Sequence, residues 1–251
     1  PNFSERLKTV KEIKSLGKEV SVDGNKYDYV IDCRGYPEDY SDYIITDKVY
    51  LDSGIVVKSF TPGDWEYTYH IAHEHGWMFG IPLQKTTGWG YLWNSDVTSE
   101  LEAQSNLINL LGEYQVEYFS EDCRQFKFKN YYAKSIVNED GNIFVNGNRA
   151  LFLEPIQATS LGCYGLINGL IIDCIENKHY DHEKYTTVMD EVIKFINLHY
   201  YNGSDYNTPF WNMAQEGARE VLNGINPSEY NWKYVIDWTP QFRQKMFESF
   251  L

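Results

Sequence analysis

Short β-type hydrophobic runs dominate the first part of the chain, and runs with a helical period dominate its last third. Residues 20–31 predict a β-hairpin around the Asp23-Gly24 turn, because apolar runs flank a dipeptide that favours tight turns. Residues 38–70 alternate apolar runs with acidic turns, and residues 76–82 and 88–93 predict a further pair of strands. This order predicts an α+β or α/β fold with an antiparallel sheet, not a helical bundle or a sandwich.

Helix signals accompany and follow the predicted sheet. Ser95 or Asp96 can cap a helix that carries leucines and ends at Gly112. Residues 5–16 place apolar side chains three positions apart, which fits either a helix or the entry into a strand. Further helices are predicted over 161–175, 184–201, 209–223 and 239–250.

The stretch 151–160 has the composition of a helix opening. Pro155 fixes its own φ angle and ends the element before it, and Thr159 and Ser160 are residues that commonly cap helices. A predicted turn and short strand, ending at Gly147-Asn148, precede it. Free N–H groups at such a helix start can bind an anion, although an ordinary well-capped helix has the same pattern.

Two strand patterns allow either a structural or a functional interpretation. Asp32 ends a predicted strand and Gly35 follows, which suits a ribose or phosphate site at a sheet edge but also a simple turn. Trp77, Phe79 and Ile81 alternate along one strand and therefore share a face. That face is either core packing or an aromatic wall beside a cavity.

Composition limits the classes of partner. The net charge of −14 argues against nucleic acid and anionic membranes as partners. The chain contains 21 Tyr, 13 Phe and 7 Trp, which form a large core or a site for a ring-shaped ligand. No apolar run approaches the roughly 18 residues that span a bilayer. The chain starts with neither a signal peptide nor an initiator Met, so it is expected to be a fragment.

Metal and disulfide sites are not expected. His70, His73 and His75 fit no ligand spacing, and packed or solvated histidines are favoured. The four cysteines form no CxxC pair, which indicates a reduced, cytoplasmic setting. They are Cys33, Cys123, Cys163 and Cys174.

Several motifs, taken in order, resemble the flavin-dependent tryptophan halogenases, which have a flavin monooxygenase-like fold. The run 76–82 (GWMFGIP) resembles the family's WxWxIP segment, with Phe79 at the second Trp. Residues 32–36 (DCRGY) resemble DCSGF, and 152–160 (FLEPIQATS) resemble FLEPLESTS. The late segments FIxxHY and TPFW are matched by 195–200 and 208–211.

The resemblance implies an oxidation chemistry and a set of site residues. Reduced FAD, oxygen and chloride or bromide give hypohalous acid, and a lysine delivers the halogen to an electron-rich ring such as tryptophan or indole. A separate flavin reductase supplies the reduced FAD. The implied roles are cofactor binding for Asp32, Gly35, Gly147, Asn148, Glu154 and Pro155, halide binding for Thr159 and Ser160, catalysis for Gln157, Trp77 and Phe79, and substrate contact for Tyr206, Phe210 and Trp211.

Two departures from the family pattern weaken the expectation of a working catalyst. Gln157 stands where the family has a glutamate, and a neutral amide cannot act as a general base. The GxGxxG fingerprint and the catalytic lysine, which the family carries upstream, are absent, and Lys85 is not at the lysine position. The chain is therefore expected to need an N-terminal flavin-binding segment or chain, and it could pair with that partner or form a homo-oligomer.

The implied organisation is a partial halogenase fold. Residues 1–36 are expected to be a remnant of the FAD-binding domain, and 37–125 a sheet-rich substrate-side domain with one helix. Residues 126–176 would return into the FAD-binding domain, and 177–251 would form a C-terminal helical region. The alternatives are a non-catalytic or repurposed aromatic-binding relative and a flavin-dependent hydroxylase.

Overall fold

The computed structural model describes residues 9–60, 62–118 and 123–225, so the helix predicted over 239–250 lies outside the described residues. The chain divides into two compact units. Unit 1 contains the described residues of Pro1–Ile44, Tyr132–Phe152 and Ser160–Thr186, and unit 2 those of Ile45–Tyr131, Leu153–Thr159 and Thr187–Leu251. Each unit draws on three separate stretches of sequence, because the chain passes between them five times.

The strands are β1 Ile13–Ser15, β2 Val20–Val22, β3 Asn25–Tyr27, β4 Val30–Asp32, β5 Tyr43–Ile45, β6 Ser53–Ser59, β7 Tyr69–His73, β8 Gly76–Pro82, β9 Thr87–Trp93, β10 Arg124–Lys127, β11 Tyr131–Ala133, β12 Ile143–Val145 and β13 Leu151–Phe152. The helices are α1 Glu100–Glu113, α2 Thr159–Asn177, α3 His182–Tyr201 and α4 Pro209–Val221. Two short 3₁₀ helices, Gly147–Arg149 and Ile156–Ala158, complete the described elements.

Unit 1 is built around short sheets and α2. Strands β1, β2 and β3 form an antiparallel meander, and the predicted hairpin turn is present at Asp23 and Gly24. The second hairpin strand is shorter than predicted, because β4 leaves the meander and pairs in parallel with β12. This register sets Val145 beside Asp32, so the carboxyl ends of both strands lie at one edge. No helix forms over residues 9–16, which enter β1 instead.

Unit 2 contains an antiparallel five-stranded sheet in the order β10-β6-β9-β8-β7. The apolar side of α1 packs on one face of the sheet, with buried Trp89, Tyr91 and Trp93 of β9 in the same cluster. The opposite face carries Trp77 and Phe79 of β8, since successive side chains alternate across a strand. One face is therefore core, and on the other face Trp77 is also buried while Phe79 is half-buried.

Local signals explain where the helices begin. Helix α1 is capped by Ser99 rather than by the predicted Ser95 or Asp96, because Ser99 and Glu102 form a reciprocal capping box. Helix α4 is capped by Thr208 and has Pro209 at its start, as its sequence indicates. Gly112, the predicted helix end, lies inside α1.

Helix α2 is more apolar than the sequence-based expectation allowed. The segment Ile156–Asn177 is long and apolar enough, by length and composition, to cross a membrane, which corrects the expectation that no run approaches that length. Core helices of soluble proteins share these properties. Leu161 and Ile172 leave apolar surface exposed on this helix.

Candidate active site

The edge of the parallel strand pair in unit 1 brings together several residues predicted to bind a cofactor. Asp32 ends β4, and its carboxylate accepts two hydrogen bonds of 2.9 Å from the Arg34 guanidinium. Nε of Arg149 lies 3.5 Å from Oδ2 of the same carboxylate. Burial opposes the charge of Asp32, but the hydrogen bonds and charge of Arg34 and the charge of Arg149 lower its pKa overall. Asp32 is thus ionised and holds the guanidinium groups of Arg34 and Arg149 beside it.

Glycines complete this edge. Gly35 and Gly147 have φ angles of +59° and +60°, a region that other L-residues rarely occupy. Asn148 accepts a 2.5 Å hydrogen bond from the Tyr164 hydroxyl on α2. Glycine turns with nearby guanidinium groups at the carboxyl ends of parallel strands suit the phosphates and ribose of a dinucleotide. The residues present therefore fit part of a flavin nucleotide site.

The start of α2 is a strained turn. Gln157 and Ala158 have φ angles of +53° and +52°, although neither is a glycine. Both side chains are exposed, whereas Thr159 and Ser160 are buried. The backbone N–H of Thr159 donates to the carbonyl of Ile156, so this predicted halide donor already has a partner within the chain. Halide binding by Thr159 and Ser160 remains a prediction.

A buried polar network lies beside this turn in unit 2. The Tyr200 hydroxyl on α3 donates to Oε1 of Glu154 over 2.6 Å and accepts from Nε1 of Trp77 over 3.1 Å. The backbone N–H of Leu51 donates to Oε2 of Glu154. A second link, also on α3, joins the Tyr50 hydroxyl to Oδ1 of Asn197. The bond to the Tyr200 hydroxyl fixes the orientation of the Trp77 indole ring.

Glu154 is fully buried, and burial raises its pKa to about 7. The hydrogen bonds from Tyr200 and from the backbone of Leu51 and Tyr50 oppose this rise, because they favour the carboxylate. Glu154 therefore links Tyr200 on α3 to the backbone at Leu51 within unit 2. Cofactor contact by Glu154 and by neighbouring Pro155, which opens the 3₁₀ turn, remains a prediction.

The face of the sheet opposite α1 carries aromatic side chains on β8 and glycines on the neighbouring strand β9. Trp77 is buried and Phe79 is half-buried, and their rings meet edge to face at 6.3 Å. Gly90 lies opposite Phe79, and a Cβ atom there would stand 2.3 Å from the Phe79 ring. A Cβ at Gly88, opposite Ile81, would meet open space. We call Trp77, Phe79, Gly88 and Gly90 the aromatic face.

His70 stands at the edge of the aromatic face. It is paired with Phe79 across the β7–β8 register, and its imidazole meets the Trp77 ring edge-on at 5.3 Å. Its Nδ1 lies 3.5 Å from Nε2 of Gln157. The structure thus brings together three residues that the sequence treated separately.

The predicted substrate residues differ in their exposure. Phe210 and Trp211 are buried, and Nε1 of Trp211 donates to the carbonyl of His73 over 2.7 Å. They pack in the core of unit 2, the structural alternative to a substrate contact. Tyr206 is 43% exposed and its ring lies near His73. Substrate contact by Tyr206 remains a prediction.

Within the described residues, no group of His, Cys, Asp or Glu side chains could hold a metal ion. The four cysteines are free: Cys33 and Cys123 are exposed, and Cys163 and Cys174 are buried.

The family model for tryptophan halogenase matches residues 7–226. Because this match covers most of the chain, the chain belongs to the tryptophan halogenase family. The family inferred from the WxWxIP-like, DCSGF-like and FLEPLESTS-like segments is therefore confirmed.

Distant relatives agree with this assignment. The chain is 24% identical over 182 residues to the tryptophan 6-halogenase SttH of Streptomyces toxytricini, covering 68% of this chain and 32% of that protein. It is 22% identical over 209 residues to the tryptophan 7-halogenase RebH of Lentzea aerocolonigenes, covering 75% of this chain and 38% of that protein. The chain therefore spans well under half the length of these relatives.

Solved structures confirm the predicted partial halogenase fold. The tryptophan halogenase of Shewanella frigidimarina superposes with a TM-score of 0.62 at 21% identity, covering 83% of this chain and 44% of that one. Xcc4156, a flavin-dependent halogenase from Xanthomonas campestris, also gives 0.62 at 21% identity, covering 84% and 47%.

Proposed function

We propose that the chain is the substrate-side portion of a flavin-dependent halogenase that acts on an electron-rich aromatic compound such as tryptophan or indole. One observation carries the proposal. Trp77, Glu154 and Tyr200 come from three separate family-like motifs, and the Tyr200 hydroxyl joins the other two by hydrogen bonds in one buried network. This network holds the aromatic face in a fixed position beside the turn at Gln157.

The cofactor of the proposed reaction is FAD. In unit 1, the backbone at Gly35 and Gly147, the Asn148 side chain and the cations anchored by Asp32 would hold parts of the nucleotide. When bound in its reduced form, FAD supplies the electrons with which oxygen and chloride or bromide give hypohalous acid. In unit 2, the half-buried Phe79, whose ring packs on the buried Trp77, presents an apolar surface that orients a planar substrate and excludes water.

A flavin-binding segment is the proposed partner, with a separate flavin reductase as the source of reduced FAD. The pair β12-β4 is a two-stranded sheet among the described residues, and the second edge of β4 has no strand beside it there. Ile31 on β4 is 47% exposed, and Leu161 and Ile172 on α2 are 67% and 50% exposed. An additional strand beside β4 would pair this edge, and a flavin-binding segment that also contacts α2 would cover its apolar surface.

Reconstitution tests the proposal. The chain, combined or fused with a flavin-binding segment that carries GxGxxG and the family lysine, receives FAD, a flavin reductase, NADH and bromide. Hypohalous acid is detected by bromination of monochlorodimedone. We expect bromination that requires both bromide and the reductase. Absence of bromination from an assembly that binds FAD and consumes NADH would contradict the proposal.

A second candidate is a non-catalytic relative that binds an aromatic ligand, which the neutral Gln157 favours. Added tryptophan would then quench or shift the fluorescence of the aromatic face. The reconstituted assembly would be inactive, and so would the same assembly with Gln157→Glu. Because the family uses a carboxylate at this position, recovery of activity in Gln157→Glu would identify a degenerate halogenase instead. A cytoplasmic location is part of the same proposal.

A further inference from the structure

The exposed turn at Gln157 has an imidazole as its polar neighbour. Nδ1 of His70 lies 3.5 Å from the Gln157 amide, at the upper limit of a hydrogen bond. An amide can present either its carbonyl oxygen or its NH₂ group to this nitrogen after a simple flip. With the carbonyl oxygen turned toward the ring, Nδ1–H donates to Gln157, and the lone pair of Nε2 is left to accept a proton.

The elements around His70 keep it next to a surface that suits an aromatic ligand. Trp77 of β8 meets it edge-on, and Phe79 is its partner in the sheet register. From α3, His199 is the titratable group that affects His70, and its Nδ1–H donates to the Phe195 carbonyl over 2.9 Å. Among the described residues around His70, no carboxylate or other cation shifts its pKa.

We propose that His70 accepts the proton that the aromatic ring loses on halogenation, with Gln157 holding the imidazole through Nδ1. This inference rests on the proposed function. His70 supplies the proton acceptor at the turn, because the neutral amide of Gln157 cannot accept a proton. His70 is thus a catalytic residue of the proposed reaction, and Gln157 is a positioning residue.

The proposed step releases one proton from the ring and returns it to water. The ring donates an electron pair to the halogen of hypohalous acid, forming a carbon–halogen bond while hydroxide leaves. The C–H bond at the same carbon then breaks, its electron pair restores the aromatic ring, and the proton moves to Nε2 of His70. The imidazolium returns this proton to the hydroxide, giving water, and no further oxidant or reductant is needed.

Electrostatics support this role. Partial burial, with a smaller effect of His199, lowers the pKa of His70 below its usual value. The imidazole is therefore neutral at pH 7 and ready to accept a proton. Burial also lowers the pKa of His199, so both rings are neutral at rest.

Titration of the chain itself tests the pairing without halogenation. NMR of ¹⁵N-labelled histidine, with the His70 signal assigned by its loss in His70→Gln, follows the ring nitrogens against pH. In Gln157→Glu, a carboxylate beside Nδ1 should raise the His70 pKa by about one unit or more. The same substitution should leave the His179 signal unchanged. An unchanged His70 titration in Gln157→Glu would overturn the pairing.

Activity separates this inference from the function on which it rests. In the reconstituted assembly, His70→Gln should slow halogenation of indole about 10²-fold or more, while hypohalous acid still forms. His179→Gln, the same change at an exposed site of unit 1, should leave both rates unchanged. If His70→Gln and the parent halogenate indole at equal rates, the role assigned to His70 is wrong, but the proposed function still stands. If the parent assembly forms no hypohalous acid, the proposed function fails, and this inference fails with it.

Discussion

Substitution of Tyr200 by Phe is the sharpest test of the buried network. The change removes the hydroxyl that donates to Glu154 and accepts from Trp77, with little change in shape. All three side chains are at most 3% exposed, so water cannot replace the lost bonds. A hydrogen bond to a charged group contributes about 1.5–3 kcal/mol, and an unpaired buried donor costs about 1–3 kcal/mol. We expect a total loss of about 3–5 kcal/mol at pH 8.

The loss should depend on pH in a defined direction. Burial holds the pKa of Glu154 at about 7, above its usual 4.5, so the native state keeps this proton longer than the unfolded chain. This difference lowers stability by about 3 kcal/mol as pH rises from 4.5 to 7. The Tyr200 bond favours the carboxylate, so its removal raises this pKa further. The cost of Tyr200→Phe should therefore be about 1 kcal/mol larger at pH 8 than at pH 5.5.

Urea unfolding followed by far-UV circular dichroism at these two pH values provides the measurement. Tyr91→Phe is the matched control, because Tyr91 is equally buried in unit 2 but its hydroxyl meets the Asn106 amide at 3.5 Å rather than a carboxylate. It should cost about 1 kcal/mol at both pH values. Equal costs for the two variants, or a cost of Tyr200→Phe that does not change with pH, would refute the reasoning.

Three further substitutions have defined outcomes. Gly90→Ala should lower stability by about 1–3 kcal/mol in urea unfolding, since the new Cβ meets the Phe79 ring, whereas Gly88→Ala, which faces open space, should change it little. Asp32→Asn should lower the thermal midpoint at pH 7, and this effect should shrink as the pH falls below 3.8, because a lowered pKa stabilises only while the carboxylate is ionised; an effect that does not change with pH would contradict the ion pair. Ala158→Gly should raise stability by about 1 kcal/mol in the same urea assay, since φ is +52° there; destabilisation would show that this backbone is unstrained.

Local patterns in the sequence predicted much of the sheet and the late helices. The alternation around Trp77 placed it and Phe79 on one face, because side-chain direction in a strand has a period of two. Helix α4 begins at residue 209 as predicted, where Pro209 occupies the first turn. The start of α1 was misplaced, although Ser99 and Glu102 show the spacing of a capping box.

The buried network could not be predicted by local patterns. Glu154 and Tyr200 are 46 positions apart in sequence, and Trp77 is 123 positions from Tyr200. Such pairs form only when distant elements pack, so neither residue shows its partner in its own neighbourhood. Tyr200 lies within the FIxxHY-like segment, which was the one signal that could have directed attention to it.

Backbone strain at Gln157 was equally hidden. A positive φ is usually predicted from glycine or asparagine, and neither occurs at 157 or 158. The contact with His70 follows from this turn and from the β7–β8 register together. The sequence marked Gln157 as a departure from a family pattern, but only the structure shows which side chain stands next to it.

The central claim is that the reaction is a halogenation. It is tested most directly by whether the new substituent on the product is bromine or an oxygen atom from O₂. The chain reconstituted with a flavin-binding segment, FAD and a reductase is given indole, bromide and ¹⁸O-labelled oxygen, and the products are analysed by mass spectrometry. We expect a bromoindole with the near-equal isotope doublet of bromine and no ¹⁸O. An ¹⁸O-labelled hydroxyindole, or unchanged indole in both the parent and Gln157→Glu assemblies, would contradict it.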